Sequence, residues 1–153
     1  MPLTDFKLIY SSKYFKVVTP NRPHITRADG GHVVIVPKRA VEDRTYLTPE
    51  EAKELVQLSI VFGKAMKTAL NKRGIDVARI NYQENGNWIP EMHLHLYGRA
   101  KSAKLQKFGD ALRFPKLETG FYDNNEPLNE ADINEIKKET GIIKFGLSER
   151  TLR

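Results

Sequence analysis

Glu91-Met92-His93-Leu94-His95-Leu96-Tyr97 places two of the chain's four histidines two residues apart, between apolar neighbours. In a strand successive side chains point to opposite faces. Glu91, His93 and His95 then share one face, and Met92, Leu94 and Leu96 share the other. With the apolar face buried in a core, the opposite face carries a carboxylate and two imidazoles in a short row. Imidazole is a nucleophile towards phosphorus and a general acid or base near neutral pH. Three uses fit the row. It is a solvated sheet face with incidental histidines, or a metal centre completed by His32 or His24, or a nucleophilic site for a phosphorus ester. The row alone does not choose between them.

The elements that must hold the row are legible around it. Phe6–Tyr10 and Tyr14–Thr19 are rich in β-branched and aromatic residues, with Ser11-Ser12-Lys13 as a hairpin loop between them. Thr19–Gly31, with prolines, an asparagine and paired glycines, reads as a loop. His32–Val36 is a short apolar strand closed by Pro37. Thr48-Pro49-Glu50-Glu51 is a helix start, with Thr48 as N-cap, Pro49 at the first position and Glu51 completing a capping box. The helix is predicted to run to Arg73 and stop at Gly74. Its predicted apolar stripe is Ala52, Leu55, Val56, Phe62, Met66, Ala69 and Leu70, with Ser59 and Gly63 permitting close approach to a sheet. Val77–Gln83 is the next strand, Glu84–Pro90 a polar loop, and Met92–Tyr97 the strand bearing the histidines. A basic stretch follows Gly98, and Asn129–Glu139 reads as a short helix ending at Gly141. This order suits an α+β layer fold with a largely antiparallel sheet.

The chain has 153 residues, enough for one domain with a proper core. A formal charge of +6 suits an anionic ligand and also suits solubility. The absence of cysteine excludes disulfides, thiolate nucleophiles and cysteine-bound zinc. Met1–Tyr10 lacks a basic region followed by an apolar run, so no signal peptide is expected. No apolar run is long enough to span a bilayer, and the expectation is a cytoplasmic protein with no membrane partner.

Three segments in order carry a resemblance: Gly31-His32-Val33-Val34-Ile35-Val36-Pro37-Lys38, then Ile80-Asn81-Tyr82-Gln83, then the His93/His95 strand. Over residues 5 to 99 the chain resembles the histidine triad (HIT) family of nucleotide hydrolases and transferases. That family's pattern is three histidines alternating with apolar residues, preceded by a Gly-His strand ending in Pro-Lys. The resemblance implies a HIT-like α+β domain over residues 1–100. It would have a mostly antiparallel sheet of about five strands and one long helix. Residues 101–153 would be a C-terminal extension, basic then partly helical, packed on the domain or on a dimer partner.

By position His93 matches the family's nucleophile, which attacks the α-phosphorus of a nucleotide ester, anhydride or phosphoramidate and forms a covalent nucleotidyl-histidine. His95 would contact the phosphate or leaving group, and His32 would support the network. Asn81, Asn85, Gly86, Asn87 and Trp88 match the loop that binds the phosphate and leaving group, and Asn21 is the candidate for a ribose hydroxyl. The implied substrate is a purine nucleotide or dinucleotide, and the enzyme a dinucleoside polyphosphate hydrolase or nucleoside phosphoramidase. No cofactor is required, although a divalent metal can accompany the substrate. A homodimer is implied, and nucleic acid is not the expected partner.

The largest departure is Glu91, which stands where the family has its first histidine. A carboxylate there repels an incoming phosphate. Its expected roles are to anchor the neighbouring loop or His32, or to hold the imidazolium of His93. Loss of turnover, leaving a nucleotide-binding or sensing module, is the alternative reading.

Overall fold

The computed structural model describes residues 5–143. Five strands form one sheet: β1 (Phe6–Ser11), β2 (Phe15–Pro20), β3 (His32–Pro37), β4 (Val77–Gln83) and β5 (Leu94–Ala100). Their order is β1-β2-β3-β5-β4 and every neighbouring pair is antiparallel, as the α+β reading expects. Two helices, α1 (Pro49–Lys72) and α2 (Glu130–Ile142), complete the described residues' longer elements.

Helix α1 begins as the capping box predicts. Thr48 Oγ1 accepts the Glu51 N–H at 3.1 Å, and the Glu51 carboxylate accepts the Thr48 N–H at 2.9 Å. It ends with Arg73 as C-cap, and Gly74 follows at φ +89°. Leu55, Leu58, Val61, Phe62, Ala65, Met66, Ala69 and Leu70 are buried against Phe15, Val17, Val33, Ile35, Leu94 and Leu96 of the sheet. Ala52 and Val56 do not belong to this stripe; both are exposed, because the stripe's centre lies between Leu55 and Leu58. Gly63 is buried where a Cβ would lie 2.0 Å from Tyr82 Oη, so its small size is what lets the edge strand β4 close on the helix.

The histidine strand is shifted from its predicted span. It starts at Leu94, not Met92, and runs on to Ala100. The pairing explains both ends. β3 pairs with β5 only as far as Leu94, and β4 only as far as His95, while Val77 at the start of β4 holds Ala100. Met92 is fixed outside the ladder by its N–H donating to Val41 O at 2.8 Å.

Cross-strand partners share a face. His32, Tyr97 and Asn81 therefore form one row on the sheet face away from α1, and Val34, His95 and Gln83 form the next. The residues beyond 100 cover one end of this face. The buried Asp29 carboxylate accepts the N–H groups of Lys104, Leu105 and Gln106 at 2.9, 3.0 and 3.0 Å. Arg99 donates to Asn81 Oδ1 at 2.7 Å and to the carbonyls of Lys107 and Asp110 at 2.9 and 2.7 Å. Helix α2 packs on α1, and Asp132, fully buried, joins Arg27 and Arg73 at 2.5 and 3.1 Å. Leu128, Ile133 and Ile136 enter the same core as the sheet. The extension thus completes the domain as far as it is described; its last residues, 144–153, lie outside the described residues. The short helix expected over Asn129–Glu139 is present as α2, with Asn129 as its N-cap, and it continues one residue past Gly141. Among the described residues no helix is long and apolar enough to cross a membrane.

The loop between β2 and β3 lies directly across β5. A Cβ on Gly98 would sit 1.9 Å from Gly30 O, and one on Gly30 would sit 2.0 Å from Gly98 O. Two glycines are needed at this crossing. It brings the loop's histidine, His24, over the sheet.

Candidate active site

His93 stands at the entry to β5 and is half-buried. Its Nδ1 lies 2.7 Å from the main-chain carbonyl of Glu91. A carbonyl can only accept, so the neutral ring carries its hydrogen on Nδ1 and presents an unshared pair at Nε2. That is the form a nucleophile needs. The Glu91 carboxylate is exposed and has no hydrogen bond or ion pair among the described residues. The neighbour that orients His93 is therefore the backbone of Glu91, not its side chain.

The other imidazoles form a chain whose hydrogens are fixed from one end. The backbone N–H of His24 donates to His32 Nδ1 at 3.2 Å. Neutral His32 must then carry its hydrogen on Nε2, which faces His95 Nδ1 at 2.8 Å. His95 accepts there and carries its own hydrogen on Nε2. Burial supports neutrality throughout. It lowers His95 to about 2 and His24 to about 4, with further lowering from neighbouring imidazoles. His32, fully buried, is held well below its ordinary value for the same reason. The His93 and His95 rings meet edge to face with centroids 4.6 Å apart.

This chain also bears on the metal reading. Ring nitrogens of His24, His32 and His95 lie within 4.8 Å of one another. His32 Nε2, the atom that faces His95 Nδ1, could take a metal only with the ring's hydrogen moved to Nδ1, against the His24 peptide N–H, which cannot give up its hydrogen. The donor set does not fit a metal in this arrangement. The Glu91, His93 and His95 trio is not gathered as a ligand set among the described residues.

A HIT domain model matches residues 4–102. The chain belongs to the HIT family. Solved HIT structures share its fold. A histidine triad protein from Marinobacter aquaeolei VT8 is 15% identical over 92% of this chain and 93% of its own, with a TM-score of 0.67. A hypothetical histidine triad nucleotide-binding protein from Sulfolobus tokodaii strain7 is 14% identical over 90% and 85%, TM-score 0.60. A Zn-bound histidine triad family protein from Mycobacterium smegmatis is 20% identical over 88% and 84%, TM-score 0.59. Coverage near nine tenths carries the likeness past residue 102 into the extension. No curated protein matches the sequence.

Within this HIT domain the expected residues fall into two groups. His93, His95 and His32 come together as described. Asn85 and Gly86 line a pocket with His93, and Glu42, Asp43 and Glu84 belong to the same lining. Asn87 is exposed beside them. Trp88 is half-exposed and turns its ring edge-on to His24 at 5.8 Å. Asn81 shares the site's face, but its side-chain oxygen is taken by Arg99. Asn21 is exposed at the end of β2, its N–H bound to Asp5 O at 2.8 Å. Three residues of the site are not apparent from the motif. Tyr97 places its hydroxyl 2.9 Å from His24 Nδ1. Phe114 and Tyr122, from the extension, bring their rings to 5.6 and 5.5 Å from that of His24. The alternation that picks out His93 and His95 also points to Tyr97; nothing local points to the other two.

Proposed function

We propose that this HIT protein is a nucleotidyl hydrolase or transferase acting through His93. The 2.7 Å bond from His93 Nδ1–H to the Glu91 carbonyl is the observation that carries the reading. Nε2 attacks the α-phosphorus, and a P–N bond forms as the bond to the leaving group breaks. The ring becomes cationic, and its Nδ1–H stays on the carbonyl, which stabilises that charge. The His95 Nε2–H donates to the phosphoryl oxygen or to the departing atom. Water or another acceptor then breaks the P–N bond and restores neutral His93. No cofactor enters these steps, and a divalent cation would come only with the substrate. Val18 and the exposed Leu8 are cross-strand partners on the site's face and offer an apolar platform for a purine base.

The test is a panel of dinucleoside polyphosphates and adenosine and guanosine phosphoramidates, assayed with wild type and His93→Ala. Wild type is expected to release a nucleoside monophosphate, and His93→Ala to lose about 10⁴-fold in rate with folding intact. Undiminished hydrolysis by the variant would end the proposal. A binding module without turnover is the second reading, favoured by the engagement of Asn81 with Arg99. Nucleotide binding with no release over hours would select it.

We further propose a homodimer through α1 and β4. Val56, Ile60 and Tyr82 are exposed apolar side chains on those two elements, 56%, 37% and 48% accessible. Light scattering should give twice the chain mass of 17.5 kDa. A mass of one chain at micromolar concentration would remove the dimer.

A further inference from the structure

We propose that His24, on the loop between β2 and β3, is a second imidazole N–H donor to the phosphate that His93 attacks. The proposal rests on the reading of His93 given above and adds to it a group supplied by a different part of the chain. The hydrogen positions follow from the contacts. Tyr97 is fully buried, and among the described residues the only hydrogen-bond partner of its hydroxyl is His24 Nδ1 at 2.9 Å. A buried hydroxyl hydrogen needs an acceptor, so Tyr97 donates and His24 Nδ1 accepts. The neutral His24 ring then carries its hydrogen on Nε2.

Among the described residues that Nε2 has no protein partner, yet it is not among the buried polar atoms left without one. It therefore reaches solvent, although His24 as a residue is 92% buried (8% accessible). The same holds for His95 Nε2. Both N–H groups open from a sealed cluster, with ring centroids 5.4 Å apart. They are held by independent anchors, a peptide N–H for His95 and a phenol O–H for His24. The His24 ring is clamped by His32 stacked at 4.8 Å and by Phe114 and Tyr122. Its Nε2–H is a fixed donor at the edge of the site, and preorganised donors of this kind stabilise developing phosphoryl charge. It supplies an imidazole from outside the motif in a chain that has Glu91 inside it.

The test compares wild type, His24→Phe and His24→Gln. Each variant keeps the residue 24 peptide N–H, so the hydrogen on His95 stays where it is. Phenylalanine keeps the ring packing without a donor, and glutamine keeps a donor without the ring. Thermal unfolding, affinity for AMP and GMP, and kcat/KM on the substrate panel are read for each. His24→Phe is expected to melt below wild type, because the buried Tyr97 hydroxyl loses its acceptor, to bind AMP about tenfold more weakly and to lose about 100-fold in kcat/KM. His24→Gln is expected to recover about tenfold of that loss. A His24→Phe protein within twofold of wild type in binding and turnover overturns the proposal. So do equal losses in both variants that track a fall in melting temperature. If wild type turns over nothing, the His93 reading fails separately, and AMP binding decides His24. Weaker binding by His24→Phe then supports it; unchanged binding, or a wild type that binds neither AMP nor GMP, overturns it.

Discussion

His93 and His32 belong to one cluster of imidazoles but are held in opposite ways. His93 is half-exposed at the mouth of β5, fixed by a single main-chain carbonyl and bordered by the loop of Asn85 and Gly86. His32 has no exposed surface and passes a hydrogen bond from one neighbour to the next beneath a lid of aromatic rings. A nucleophile needs access. A chain of hydrogens needs the opposite, because water would compete for each link and leave the tautomers free. The molecule separates the two requirements in space, and His95 is where they meet.

The comparison breaks most severely if the sealed end is emptied of polarity. His32→Phe keeps a ring but leaves His95 Nδ1 and the His24 peptide N–H without partners. It is expected to lower turnover about 100-fold and to cost about 2–4 kcal/mol of stability. Steady-state kinetics with denaturant unfolding would show both. Full activity in this variant would mean that the hydrogen chain does not matter.

Acid should act on the sealed end first. His24 sits at about 4 and His95 at about 2 when folded, against 6.5 when unfolded. Below pH 6.5 the unfolded chain therefore binds protons that the folded chain refuses, and stability falls as pH falls. The loss is about 1.4 kcal/mol per pH unit for each such imidazole, continuing to about pH 4 for His24. Melting temperature measured from pH 7.5 down to 4.5 should decline, with most of the decline below 6.5. A flat profile would contradict the burial argument.

The smallest effect should come from the open end. Glu91→Gln keeps the carbonyl that orients His93 and removes only an exposed charge. Its kcat/KM for an anionic substrate should stay within about twofold of wild type, on the higher side. A tenfold fall would assign the carboxylate a direct role after all.

The two ends also differ in how far they can be read from sequence. Alternation over residues 91–97 finds the open end, and the capping box at Thr48 and Glu51 finds the helix beneath it, because each is a local rule. Five strands, their order of appearance and the long helix are legible for the same reason. The sealed end depends on contacts that local rules do not encode. His24 reaches the site only because Gly30 and Gly98 let the loop lie flat on β5. Phe114 and Tyr122 arrive because Asp29, Arg99 and the loop carbonyls of Pro23 and His24 hold the extension in place. The histidine strand's observed span differs from the predicted one for a related reason: its ends are set by where β3 and β4 stop and start, not by its own residues. Ala52 and Val56 share the spacing of buried positions, but the helix presents a neighbouring face.

The long separations at the sealed end have a consequence for the order of folding. His32 and His95 are 63 residues apart in sequence, and His24 and Tyr97 are 73 apart. Closing loops of that length is slow compared with forming α1 or the β1–β2 hairpin. In refolding from denaturant, the helical signal should therefore recover before the histidine cluster does. The ability to hold a nucleotide phosphate would be among the last properties the chain regains, and so a direct report that assembly is complete.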